Sequence, residues 1–194
     1  MSHYLLINFS CRMTSNKLKN IFGFKSVHTV QNYFSFLEES YLIFQIEKFS
    51  FKIKEKSTAP RKVYAIDTGL VHSLPGRFSP DRGRFYENIV AVDLLRRKGR
   101  EPDLEIYYWQ DYSGREVDFV LKKGLEVVEL IQVCLNLEDY DARDREFKSL
   151  LKAGKELRCS DFLVITSERS GVEKFRGEAI RLVPLWQWLL EKEG

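Results

Sequence analysis

An α+β fold is the class this sequence predicts, and three patterns predict it. The first half carries helical spacings that give way to hairpin-like alternation. The second half reads helix, three strands, helix, strand, an αβββαβ order with a trailing strand and helix. Between them, near Thr68–Ser79, lie Gly69, Pro75, Gly76 and, just beyond, Pro80, breakers that mark a linker or long loop. Two domains follow, 1–72 and 77–194.

In the first half, His3 to about Arg12 is short and apolar and reads as a helix. Its abrupt apolar start leads us to expect that something precedes it. Thr14 and Ser15 are N-cap residue types ahead of Asn16–Phe22, where Leu18, Ile21 and Phe22 share a face and Gly23 ends the helix. Ser26 caps a second helix whose Val27, Val30, Phe34 and Leu37 form one apolar stripe. His28, Thr29, Gln31, Asn32 and Ser35 occupy its other face. Two helices joined by a short glycine turn match a helix-turn-helix outline. The strand-like "YLIFQIEKFSF" and "KVYAID" then supply a hairpin, which predicts a winged helix with Phe49–Arg61 as the wing.

In the second half, a long helix is predicted from about Arg82 to Arg97, on Phe85, Ile89, Val92 and Leu95, with Gly99 stopping it. Strands are predicted at Leu104–Gln110, Arg115–Leu121 and Glu126–Leu135, with Ser113–Gly114 and Lys123–Gly124 as turns. A helix from about Glu138 to Leu157 follows. "DFLVIT" (Asp161–Thr166) is apolar on both faces and should be central in the sheet. A short strand Ala179–Val183 leads into a helix begun by Pro184.

Composition narrows the function classes. The chain has 194 residues, 44% hydrophobic and 30% charged, with 14 Phe, 9 Tyr and 3 Trp to build cores. It has no apolar run of transmembrane length and no basic flank or cleavage site of a signal peptide, so we expect a cytoplasmic protein with no membrane partner. Net charge is only +3, but the cations cluster. Residues 48–62 hold Lys48, Lys52, Lys54, Lys56, Arg61 and Lys62 against Glu55, and residues 77–100 add Arg77, Arg82, Arg84, Arg96, Arg97, Lys98 and Arg100. Such runs are candidate phosphate-contacting surfaces, or else solvated faces. Cys11, Cys134 and Cys159 are widely spaced, which argues against a disulfide framework or zinc site. His3, His28 and His72 show no metal-ligand spacing. The polar helix face and the basic wing make His28, Thr29, Gln31, Asn32, Lys52, Lys54, Lys56 and Arg61 the candidate DNA-binding residues.

Phosphodiester hydrolysis by divalent metals needs clustered oxygen ligands and, commonly, a supporting cation. Restriction-endonuclease-like folds place an acid on the first helix, an Asp on the second strand and an acid-x-Lys on the third. Residues 77–194, through "FYENIV", "GREVDFV" and "LIQVC", resemble the PD-(D/E)xK nuclease-like domain at the C-terminus of archaeal and bacterial AAA-type ATPases. Residues 1–72, through "TVQNYFSFLEESYLIF" and "KVYAIDTGL", resemble the winged helix that precedes it. The resemblance implies that Glu87 is the helix acid and Asp118 the strand Asp, with Gln132 and Cys134 where an acid and a lysine would stand. Gln132 offers a carbonyl oxygen without charge, and a Cys134 thiol supplies no ammonium. Glu116 shares a strand face with Asp118, Lys122 and Lys123 follow closely, and Glu129 lies on the face opposite Gln132. If the site is active, Glu87, Asp118 and Gln132 would hold Mg²⁺ or Mn²⁺. No P-loop is present, because "AGKE" at Ala153–Glu156 lacks the first glycine and the Ser/Thr.

Three functions are thus expected of the sequence. The leading one is a DNA-binding module for duplex or branched DNA with a degenerate nuclease-like domain, partnered by an ATPase module. The others are a metal-dependent DNA endonuclease and a protein-interaction or homo-oligomerisation domain, the last supported if the first helix exposes apolar surface.

Overall fold

Thr14, Ser26 and Asp139 cap the helices they precede, and buried side chains hold those helices in place. The structure, a computed structural model, describes residues 1–52, 58–73 and 82–190. The fold is mixed α and β, as the sequence predicts, and packs as two units, Met1–Val92 and Asp93–Gly194.

The first unit begins with helix α1 (Ser2–Ile7) and a short strand β1 (Cys11–Met13) that the sequence reading merged into one helix. Helix α2 (Ser15–Phe22) is capped by Thr14, whose side chain accepts from Lys17 N–H, and ends at Gly23 with φ +66°. Helix α3 (Val27–Glu39) is capped by Ser26, which accepts from Thr29 N–H. Strands β2 (Ile43–Lys48) and β3 (Arg61–Ala65) pair antiparallel, with Ile43 opposite Ala65, and β1 adds to the other edge of β3. Leu5, Phe9, Leu18, Val30, Phe34, Ile43 and Val63 form the core. Helix α1 therefore buries its apolar residues: Leu5 is 0% and Leu6 4% exposed.

A short helix α4 (Thr68–Ser73) occupies part of the segment expected to be a linker. Helix α5 (Arg82–Arg100) passes through Gly99, where a stop was expected, because Glu101 N–H still reaches Arg97 C=O at 2.8 Å. The unit boundary falls inside α5, later than the breakers suggest. Its early turns are bound to β3: the Asn88 side chain accepts from Ala65 N–H at 2.9 Å and donates to Ala65 C=O at 2.8 Å. Such a bond pair extends a strand edge onto a helix and satisfies a buried peptide unit.

The second unit carries strands β4 (Leu104–Gln110), β5 (Glu116–Lys123) and β6 (Glu126–Val133) as an antiparallel meander. Helix α6 (Tyr140–Leu157) starts at the Asp139 cap, packs on β5 and β6, and returns the chain to β7 (Phe162–Thr166), parallel to β6. Strand β7 is wholly buried and central, as its composition predicts. Beyond it lie β9 (Glu178–Pro184), parallel to β7, and β8 (Gly171–Phe175), antiparallel to β9, giving the order β4-β5-β6-β7-β9-β8. Strand β8 is mostly exposed and polar, which hid it from periodicity. Pro184 closes β9, and helix α7 (Leu185–Leu190) follows it. Among the described residues no helix is long and apolar enough to cross a membrane.

Candidate functional site

Strands β5 and β6 set the face on which Asp118 sits. Phe119 stands opposite Ile131 in their register, so Asp118 and Gln132 belong to the other face, the one α6 covers. Both are nearly buried, at 6% and 5% exposed. They are joined directly. Asp118 N–H donates to Gln132 Oε1 at 3.1 Å, and Val133 N–H donates to Asp118 Oδ2 at 3.0 Å. Gln132 Nε2 donates in turn to Glu146 Oε2 on α6 at 2.7 Å. The amide thus bridges a strand backbone and a helix carboxylate, using both ends of a group that can donate and accept.

Glu146 is the member that sequence reasoning missed. It stands four residues before Leu150, on the edge of the buried stripe of α6, and a carboxylate in that position was the available signal. Burial pushes its carboxyl above the ordinary value; Arg145, bonded to Oε1, pulls it back, while Asp118 and Glu116 add further upward pressure. Cys134, 8% exposed, is pushed up to about 11 by burial, with Glu146 adding to the effect. It is a protonated thiol at neutral pH, and supplies no cation where the resemblance places a lysine.

Lys122 and Lys123 do not stand in for that lysine. Lys122 pairs with Glu105 and Lys123 with Glu101, toward the far end of the meander. Glu129 faces away: it takes Arg181 at 2.7 Å, and the same guanidinium holds Asp161 at 2.9 Å. The irregularity of β6 lies at Val128, before Glu129, and leaves Gln132 rather than Glu129 beside Asp118.

Glu87 is engaged within the first unit. Its Oε1 accepts from Lys62 Nζ at 2.9 Å and from Tyr64 Oη at 2.7 Å. Lys62 is 1% exposed, so this is a buried ion pair. In the sequence, Lys62 reads as one of the cations of the 48–62 cluster. Among the described residues, no group of three or more His, Cys, Asp or Glu side chains is placed to hold a metal ion. Gln132's carbonyl, the oxygen a cation would need, is turned to Asp118 N–H. These residues do not fit a resident Mg²⁺ or Mn²⁺.

The other candidate surface is α3. His28, Gln31, Asn32 and Ser35 are exposed along it. Thr29 is partly committed, because its Oγ1 bonds Ser26 Oγ in the cap at 3.1 Å. Lys52 is exposed; Arg61 pairs with Glu47 at 2.8 Å; Lys54 and Lys56 lie outside the described residues. Aromatic surface is interleaved: Phe36 is 62% exposed, and Tyr33 stacks on Phe24 with centroids 5.3 Å apart. In the 77–100 cluster, Arg84 binds the Phe9 carbonyl, and Arg97 pairs with Asp93 and lies over Trp188. These two arginines serve the fold.

Fold and site together define a mixed α/β chain: a helix-and-hairpin unit, and a second unit in which a buried amide ties the Asp118 backbone N–H to the half-buried Glu146 carboxylate. The chain belongs to the family described as "Domain of unknown function (DUF4143)", which matches residues 82–188. Residues 4–81 match a second family, "Domain of unknown function (DUF8612)". Uncharacterized protein MJ1544 of Methanocaldococcus jannaschii is 34% identical over 187 residues, covering 93% of this chain and 40% of that protein. An uncharacterized protein of Haemophilus influenzae is 26% identical over 114 residues, covering 59% of this chain and 27% of its own length. The chain therefore spans well under half the length of these curated relatives. No solved structure matches it.

Proposed function

We propose that this chain is a duplex-DNA-binding module, with α3 of a winged helix-turn-helix as the reading element and a degenerate PD-(D/E)xK nuclease-like domain behind it. The observation that carries the reading is the outward row of His28, Gln31, Asn32 and Ser35 on a helix fixed by its Ser26 cap. Amide side chains of this kind pair with base edges in a major groove, which is wide enough to admit a helix. The order α1-β1-α2-α3-β2-β3 supports the winged-helix assignment. An ATPase module as partner belongs to the same proposal; the greater length of the relatives is compatible with it.

The degenerate reading of the second domain is favoured over an active endonuclease by the bonds of its own residues. Asp118, Gln132 and Glu146 are linked to one another and to backbone amides. The test is fluorescence anisotropy of a labelled duplex with the whole chain. Binding weakened about tenfold by Gln31→Ala/Asn32→Ala, about 1.4 kcal/mol, is expected. No binding at low salt, or binding indifferent to that pair, would overturn the reading. Plasmid nicking with Mn²⁺ that disappears in Asp118→Ala would replace the degenerate site with an active one.

A further inference from the structure

We propose that the second unit carries its own phosphodiester-binding surface, along α6 and the two turns beside it, which grips the backbone of a nucleic acid. Two adjoining clefts of about 450 and 480 Å³ mark it. The first is lined by Arg115, Lys148, Leu151, Lys152 and Arg176. The second continues from Leu151 and Arg176 to Lys155 and Arg158, with Glu178 as its one carboxylate. The cations come from three separate places: the β4–β5 turn, α6, and the β8–β9 turn. Convergence of that kind is not a charge run along one exposed helix face.

The charges are only partly cancelled within the chain. Lys148 pairs with Asp144 and Lys152 with Asp111. Among the described residues, Arg115, Lys155, Arg158 and Arg176 pair with no carboxylate, and all four side chains are exposed. Lys148, Lys152, Lys155 and Arg158 follow one another at intervals of four, three and three along the helix and its C-cap. At about 1.5 Å per residue they span ~15 Å, the axial reach of about four phosphates of one strand.

Two of these arginines sit where the backbone does not favour arginine. Arg158 is the α6 C-cap with φ +57°, and Arg176 opens the β8–β9 turn with φ +52°, followed by Gly177 at +93°. Left-handed positions belong to Gly and Asn, and a two-residue turn of this type favours Asn-Gly. An arginine placed there against its backbone preference points to a use for its side chain. Both arginines line the clefts. Guanidinium forks suit phosphate oxygens, and the first cleft offers Leu151 as its one large apolar side chain, which makes a lipid or apolar protein partner a poor fit.

The surface is read separately from α3. The experiment compares the whole chain with Arg115→Gln/Lys155→Gln/Arg158→Asn/Arg176→Asn, asparagine being chosen for the two left-handed sites. Dissociation constants for a duplex and for a single strand are measured from about 50 to 200 mM salt. Each lost phosphate contact removes about 0.9 from the slope of log K against log salt for duplex, so the slope should fall by about 2 to 3.6. Unchanged slope and affinity would overturn the proposal, as would equal loss of binding to polyglutamate, which would make the partner an acidic polypeptide. If the quadruple variant melts early, Lys155→Glu alone, on an exposed helix position, gives the same reading. Loss in this variant with Gln31→Ala/Asn32→Ala unaffected would leave this surface standing and remove the α3 reading; the opposite pattern would do the reverse.

Discussion

Replacing Gln132 by Glu puts back the charge that the nuclease resemblance lacks, and it should be costly. The new carboxylate would keep one oxygen on Asp118 N–H and turn the other toward Glu146 Oε2, where an amide N–H now donates at 2.7 Å. Two carboxylates about 4 Å apart at an effective dielectric of about 20 repel by about 4 kcal/mol. Proton uptake caps that cost. Holding one proton at pH 7 on a group whose ordinary value is 4.5 costs about 3.4 kcal/mol. We expect a loss of about 2–3 kcal/mol at pH 7, a fall of roughly 1–1.5 M in urea midpoint at a slope of about 2 kcal/mol/M. The folded variant binds a proton that the unfolded chain releases, so its stability falls as pH rises above 4.5 and recovers as pH drops toward it. Wild type shows the same sign for Glu146 alone, whose carboxyl is already raised, and a shallower slope. Urea unfolding in EDTA between pH 5 and 8 measures both. A Gln132→Glu protein as stable as wild type at pH 7, with the wild-type slope, would refute the bridging role of the amide.

Further expectations rest on other contacts. Lys62→Met should destabilise by about 3–5 kcal/mol, since it strips a buried ammonium from Glu87, while Lys62→Met/Glu87→Leu should cost far less than the sum; additive losses in urea unfolding would deny the coupling. Gly154→Ala should cost about 1–3 kcal/mol, because a Cβ there would meet the Phe162 ring at 2.5 Å and Cys159 C=O at 2.6 Å; a rise in melting temperature would contradict that close approach. Iodoacetamide at pH 8 should label half-buried Cys11 well before Cys134, whose thiolate fraction is about 10⁻³; mass spectrometry showing Cys134 labelled first in the folded protein would contradict its buried, protonated state.

Most of the fold was legible because its signals are local. Thr14 and Ser26 announced the starts of α2 and α3, Gly23 the end of α2, and the composition of 162–166 a central strand. What escaped was set by distant partners. β1 is three residues long and exists through its pairing with β3; β8 is held by β9. Gly154 lies in "AGKE", which invites comparison with a phosphate loop, but its reason is the Phe162 ring against it. At the site, the resemblance brought Asp118 and Gln132 together, and the β5–β6 register and their bond do so in the fold. Glu146 was invisible to strand reasoning because α6, which begins seven residues after the end of β6, delivers it only after folding.

The proposed binding of nucleic acid through its phosphates is tested most directly by the salt dependence of duplex binding. With anisotropy on the unaltered chain, log K should fall linearly against log salt with a slope of about −4 or steeper, the response of four or more released counterions. A flat response, or no binding at about 50 mM salt, would contradict it.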